Sequence, residues 1–202
     1  NTGVSGSDGS VDTGASVYFE PEDNEENTLT WGDDRAAIYF QSDDNASNFY
    51  ARLSTKSNSE IYAMYGDPVG ADLWFYDFVG NPTIPSTSRA TLTLGIPWDD
   101  DDDYTPDPEN VYIYQLNADG ELEDVTSSFT YDEDNELTGI TGWSIKTRTL
   151  GTYIVSDMEL DIYSYVDEEE EYEDEDVDVT TPESPDKEIP STGSSDMVSV
   201  AM

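Results

Sequence analysis

Apolar and polar residues alternate over short stretches along most of this chain, and a period of two argues for strands. The runs "ASVYFE", "NTLTW", "RAAIYFQ", "NFYARLS", "EIYAMYG", "ADLWFYDFV", "RATLTLGI", "NVYIYQL", "SSFTYD", "ELTGIT" and "GTYIVS" concentrate β-branched and aromatic residues. Those types fit a pleated, half-buried surface. Turn formers separate the runs, and no stretch from Ala15 to Met158 carries a 3.6-residue period with helix caps. Pro82, Pro85, Pro97, Pro106 and Pro108 fall between runs, where a missing N–H interrupts no ladder. In "VYIYQLNADGELEDV", Asn117 to Gly120 predicts a hairpin turn, with Gly120 at positive φ. In "FTYDEDNELTGIT", Asp132 to Asn135 predicts another, with Asn135 suited to the left-handed region.

This pattern predicts an all-β fold, an antiparallel two-sheet β-sandwich over residues 15–166 with Leu160 to Val166 as its last strand. Residues 1–14, "NTGVSGSDGSVDTG", are too polar to offset the entropy of ordering and are expected to be flexible. Residues 167–202 read as an acidic, Pro-spaced linker. Ten of the twelve positions 167–178 are carboxylates, whose mutual repulsion predicts an extended, disordered tether.

Charge narrows the function classes. Of 202 residues, 47 are acidic and seven basic, a formal charge of −40. Such a surface repels nucleic acid and anionic lipid, so nucleic acid is excluded as a partner. The chain contains no cysteine and no histidine. That removes thiol nucleophiles, disulfides, Cys- or His-based zinc sites and any Ser-His-Asp arrangement. Self-repulsion opposes compaction, but 35% hydrophobic residues, with 14 Tyr, 6 Phe and 4 Trp, supply a core to outweigh it.

Near the C-terminus, Ile189-Pro190-Ser191-Thr192-Gly193 follows the acidic run. The pentapeptide resembles the LPxTG-type sorting signal of Gram-positive surface proteins, with Ile in the Leu position. That resemblance implies a sortase as partner, cleavage between Thr192 and Gly193, and transfer of the Thr carbonyl to an amine of a cell-wall peptide. It places the protein outside the cell, anchored to the wall. In that family a hydrophobic span and a basic tail normally follow; here "SSDMVSVAM" follows, so the remaining anchoring and export signals are expected outside this stretch. A second resemblance covers residues 84–157, where a strand ending in Ile-Pro leads through an acidic loop to "VYIY", a "DG" turn and a closing "TYIV". It is similar to the ZU5-like and immunoglobulin-like modules of Firmicute surface proteins, which act as spacers or adhesive units.

Several clusters invite chemistry. In "WDDDDDYTPDPEN", Asp99, Asp100, Asp101, Asp102 and Asp103 precede Asp107 and Glu109. The loop reads either as a solvated acidic turn or as a Ca²⁺ site, since Ca²⁺ takes six to eight oxygen ligands; no other cofactor is implied. "NADGELED" lacks the spacing of an EF-hand loop and reads as a turn. Paired carboxylates for glycoside hydrolysis are too plentiful here for any pair to stand out. Trp74 reads as core, while Trp98 and Trp143, beside turns, are candidate ligand-binding residues that would stack on a glycan. Lys56 and Lys146 read as exposed lysines in preference to isopeptide partners.

The combined expectation is a non-enzymatic, wall-anchored surface module, either spacer or adhesin, meeting a host or bacterial ligand such as a glycan. The alternatives are an extracellular carbohydrate-binding module, as found attached to glycosidases, and a haloadapted acidic β protein.

Overall fold

Backbone hydrogen bonds organise the described residues into fourteen strands. The computed structural model describes residues 2–162, with side chains from Val4 onward. The N-terminal half runs through β1 (Thr2–Ser5), β2 (Asp8–Val11), β3 (Val17–Glu20), β4 (Glu26–Trp31), β5 (Ala36–Gln41), β6 (Phe49–Tyr50) and β7 (Leu53–Ser54). After a helical stretch that begins as α1 (Ser59–Ile61) come β8 (Leu73–Phe78), β9 (Ala90–Gly95), β10 (Tyr112–Leu116), β11 (Leu122–Asp124), β12 (Thr130–Asp132), β13 (Gly142–Thr147) and β14 (Thr152–Ser156).

The architecture is an all-β sandwich. A six-stranded sheet has the order β12-β13-β9-β5-β4-β2, a five-stranded sheet β11-β10-β14-β8-β7, and a small third sheet β1-β3-β6. Pairing is antiparallel except β1 with β3 and β2 with β4, which are parallel. The core forms where side chains of both large sheets meet. Trp31 of β4 packs edge-on against Phe78 of β8 at 5.0 Å, and Phe78 against Tyr153 of β14 at 6.4 Å. A second cluster, Phe19, Phe40 and Phe49, ties the small sheet to the large one through T-shaped contacts. Edge-to-face geometry is favoured because a ring's positive rim meets its neighbour's negative face.

Four features depart from the expectation read along the chain. Strands form within the N-terminal stretch expected to be flexible: β1 and β2 extend existing sheet edges, Val11 is buried, and its carbonyl accepts from the Gly32 amide at 2.7 Å. Ladder bonds to a preformed edge need few apolar side chains. Gly9 permits the approach, since a Cβ there would lie 2.9 Å from the Phe19 ring. β1 adds to the existing β3–β6 pair and makes the small sheet three-stranded.

The run "EIYAMYG" is helical, not a strand. The Asn58 side chain caps it, accepting from the amides of Glu60 and Ile61 at 3.0 and 3.2 Å. The turn widens over Tyr62–Gly66, tightens over Asp67–Val69, and stops at Gly70 with φ 69°. Ile61 and Tyr65, four positions apart, supply its buried side, so a cap and one apolar stripe outweigh β propensity.

"ELTGIT" is a turn, and the strand is the following "GWSIKT", β13. Asn135 is not left-handed; its side-chain oxygen accepts from the amides of Leu137 and Thr138, both at 2.9 Å, and Gly139 takes the positive φ of 79°. "NFYARLS" splits into β6 and β7, which belong to different sheets. The Asn117–Gly120 turn, in contrast, forms as its sequence predicts, with Leu116 opposite Leu122 and Gly120 at φ 82°.

Two glycines fix the neighbourhood of β13. Gly142 and Gly95 lie opposite each other in the β13–β9 register. A Cβ on Gly142 would come within 1.9 Å of the Leu94 carbonyl oxygen, and one on Gly95 within 1.9 Å of the Asp34 oxygen. The Gly95 carbonyl accepts a 2.5 Å bond from the buried Tyr76 hydroxyl, joining the two large sheets. At the other end Leu160 is buried and its amide donates to the Tyr114 hydroxyl at 2.9 Å. β14 is the last strand among the described residues, and residues 163–166 lie outside them.

Candidate functional site

The loop after β9 carries Trp98 to a place between the sheets. Its ring meets Trp74 of β8 at 5.0 Å and 62°, and Trp143 of β13 at 5.9 Å and 65°. Since β8 and β13 belong to different sheets, Trp98 bridges them. Tyr131 of β12 continues the series, 6.3 Å from Trp143.

The far end of the loop is pinned by its own chemistry. Asp107 caps a short turn at Pro108–Asn110: its Oδ1 accepts from the Glu109 amide at 3.0 Å and its Oδ2 from Asn110 Nδ2 at 2.9 Å. This presents the Pro108 carbonyl to the Trp143 indole N–H, 2.7 Å away. A buried indole N–H needs such a partner, because an unpaired polar group in the interior is costly.

Two depressions open beside this aromatic series. One, of about 350 Å³, includes Pro108, Glu109, Phe129, Tyr131 and Trp143 in its wall. The other, of about 450 Å³, includes Trp98, Asp99, Asp100, Pro106, Pro108 and Tyr131. Pro108 and Tyr131 belong to both walls, so the two depressions adjoin and are taken together as one cleft. Their volumes fall within the range of about 300–1,000 Å³ usual for ligand sites. Burial holds the Tyr131 phenol above its ordinary pKa, and the nearby charges of Glu133, Glu109 and Asp107 push in the same direction. The cleft therefore combines ring surface with a negative field.

Trp98 and Trp143, named from sequence as ligand-binding candidates, are brought together, but their roles differ. Trp98 is half-buried and lines the cleft, whereas Trp143 is 3% exposed and forms its base with the N–H engaged. Trp74 is half-buried and Trp31 fully buried, with its N–H bonded to the Ala51 carbonyl at 2.9 Å. The sequence marks Glu109 only as part of the acidic loop and does not mark Tyr131 at all. Tyr131 alternates correctly within "SSFTYD", but nothing local reveals that edge strand β12 faces the loop of residues 97–110.

Asp99 to Asp103 are all exposed. The run closes on itself: the Asp99 amide donates to Asp102 Oδ2 at 3.0 Å, and the Asp102 amide to the Asp99 carbonyl at 3.1 Å. Among the described residues no group of three or more His, Cys, Asp or Glu side chains is arranged to hold a metal ion. Lys56 and Lys146 are exposed. The sorting-like residues Ile189 to Gly193 lie outside the described residues. No helix among the described residues is long and apolar enough to cross a membrane.

Comparison of the chain with protein-family models, with curated proteins and with solved structures gives no match.

Proposed function

We propose that the protein is a non-enzymatic binding module displayed on a bacterial surface, with the β-sandwich meeting a host or bacterial ligand and the C-terminal stretch serving attachment. The observation that carries this reading is Ile189-Pro190-Ser191-Thr192-Gly193 placed directly after a Pro-spaced, carboxylate-dense segment. A sortase needs an accessible extended pentapeptide, and like charges on the preceding residues favour extension. A binding role is favoured over a spacer role by the cleft at Trp98 and Tyr131, which a spacer does not require. The absence of Cys and His supports a non-catalytic role, since the commonest nucleophile–base pairs are unavailable.

The test is transpeptidation of the purified chain by a sortase in the presence of an amine nucleophile. Mass spectrometry should find the nucleophile joined to Thr192, and Thr192→Ala should abolish the product. An unmodified chain, while a control LPxTG peptide reacts, would overturn the attachment reading.

A second reading is carbohydrate binding, favoured by the partly exposed Trp98 ring. Glycan-array binding lost in Trp98→Ala would support it, and an array without signal would count against it.

A further inference from the structure

The cleft at Tyr131 is lined by aromatic side chains and carboxylates together. Among the described residues lining the two depressions, none is a lysine or arginine. On one side Trp98 is held between Trp74 and Trp143 by edge-on contacts, so little rotamer freedom is left to lose on binding. On the other, Glu109, Asp99 and Asp100 stand exposed at the rim. The charges of Glu133, Glu109 and Asp107 act on the Tyr131 hydroxyl in the same direction as its burial.

Each class of occupant meets this surface differently. A neutral sugar gains from the rings but nothing from the field. Acidic glycans are repelled. The chain's own acidic segment, with ten carboxylates in twelve positions, is repelled likewise, as is a second copy carrying −40. An ammonium or guanidinium group gains twice: the quadrupole of an aromatic face attracts it, and so do the rim carboxylates. The cleft divides at Pro108 and Tyr131 into two adjoining depressions, which suits successive side chains of an extended chain more than one compact cation. We infer that the Trp98–Tyr131 cleft is a docking site for an extended, Lys- or Arg-bearing segment of a basic protein partner. This rests on reading the cleft as a binding site and is independent of attachment through Thr192, so the sortase reaction and the experiment below fail separately.

The experiment is calorimetric titration of the full chain with short Lys-Gly and Arg-Gly repeat peptides, at an ionic strength of about 0.15 M so that long-range attraction is screened. Wild type is compared with Trp98→Ala, with Trp98→Phe, and with the combined Asp99→Asn, Asp100→Asn, Glu109→Gln variant. The expected result is about tenfold weaker binding for Trp98→Ala, with Trp98→Phe within about threefold of wild type. The combined variant should also bind about tenfold more weakly, although it alters only three of 47 acids. Diffuse attraction to an acidic surface predicts the opposite, because Trp98→Ala leaves the charge unchanged. Equal binding by wild type and a folded Trp98→Ala would therefore overturn the proposal. If that variant does not fold, equal binding by the combined variant, whose three sites are exposed, would do the same. Spermidine binding as tightly as the peptides, or a neutral glycan binding where the peptides do not, would also overturn it.

Discussion

Trp143 donates its indole N–H to the Pro108 carbonyl at 2.7 Å, joining β13 to a loop 35 positions earlier in the chain. That bond and the edge-on contact with Trp98 together make the acidic loop part of the sandwich. Replacing Trp143 with Phe keeps a ring but leaves the Pro108 carbonyl unpaired and a void beside it. The expected loss is about 1–3 kcal/mol in urea unfolding. An unchanged midpoint would show that the bond contributes nothing to holding the loop.

Gly95 and Gly142 face each other where β9 meets β13. Substituting Ala at either site sets a methyl group against backbone oxygen 1.9 Å away, and backbone yields less readily than a flexible side chain. Each variant should lose about 1–3 kcal/mol, or fail to accumulate as folded protein. Ala at Gly120, where a Cβ meets nothing within 4 Å but φ is 82°, should cost less, about 1 kcal/mol. Equal costs at the two kinds of site would contradict the close-approach argument.

Alkaline pH should destabilise the protein through its buried tyrosines. Burial pushes Tyr114 up to about 12, and raises Tyr76 and Tyr153 as well. In the unfolded chain these phenols ionise near about pH 10. Below that pH both states hold the protons and stability is at its full value. Above it the unfolded chain releases them first, so stability falls as pH climbs through 10 towards the folded-state values. Melting temperature measured alongside tyrosinate absorbance should fall before all 14 tyrosines have ionised. A melting temperature unchanged up to about pH 11.5 would refute this.

Self-repulsion at −40 predicts that added salt raises the melting temperature, with most of the gain below about 0.5 M NaCl as the screening length shrinks. Because the Asp99–Asp103 carboxylates do not converge, Ca²⁺ and Mg²⁺ at matched ionic strength should act alike. A rise at micromolar Ca²⁺ alone would reveal a site that the loop forms on binding. A fold that persists only near molar salt would instead favour the haloadapted reading.

How much was legible depended on whether the deciding interaction was local. The β10–β11 hairpin could be read because Asn117 to Gly120 carries its turn chemistry within a few positions, and the Asn117 side chain itself accepts from Asp119 and Glu121. The strands holding Phe75, Ile38 and Leu92 were equally clear, since burial on a sheet leaves its pattern in the residues buried. The helical turn after Asn58 was hidden by Ile61, Tyr62 and Tyr65, which look β-prone until the cap is recognised. β13 was missed because "GWSIKT" follows a glycine-bearing turn, and Trp143 looked like a loop residue.

Alternation of apolar side chains, turn chemistry and the acid count by themselves determined an all-β sandwich with a strongly negative surface, since each acts within a few residues or through composition alone. Tertiary structure alone decided that Thr2–Ser5 and Asp8–Val11 pair with strand edges, that Trp98 joins Trp74 to Trp143, and that Tyr131 meets an acidic loop. Those relationships join positions tens of residues apart, and their energy exists only once the sheets have packed.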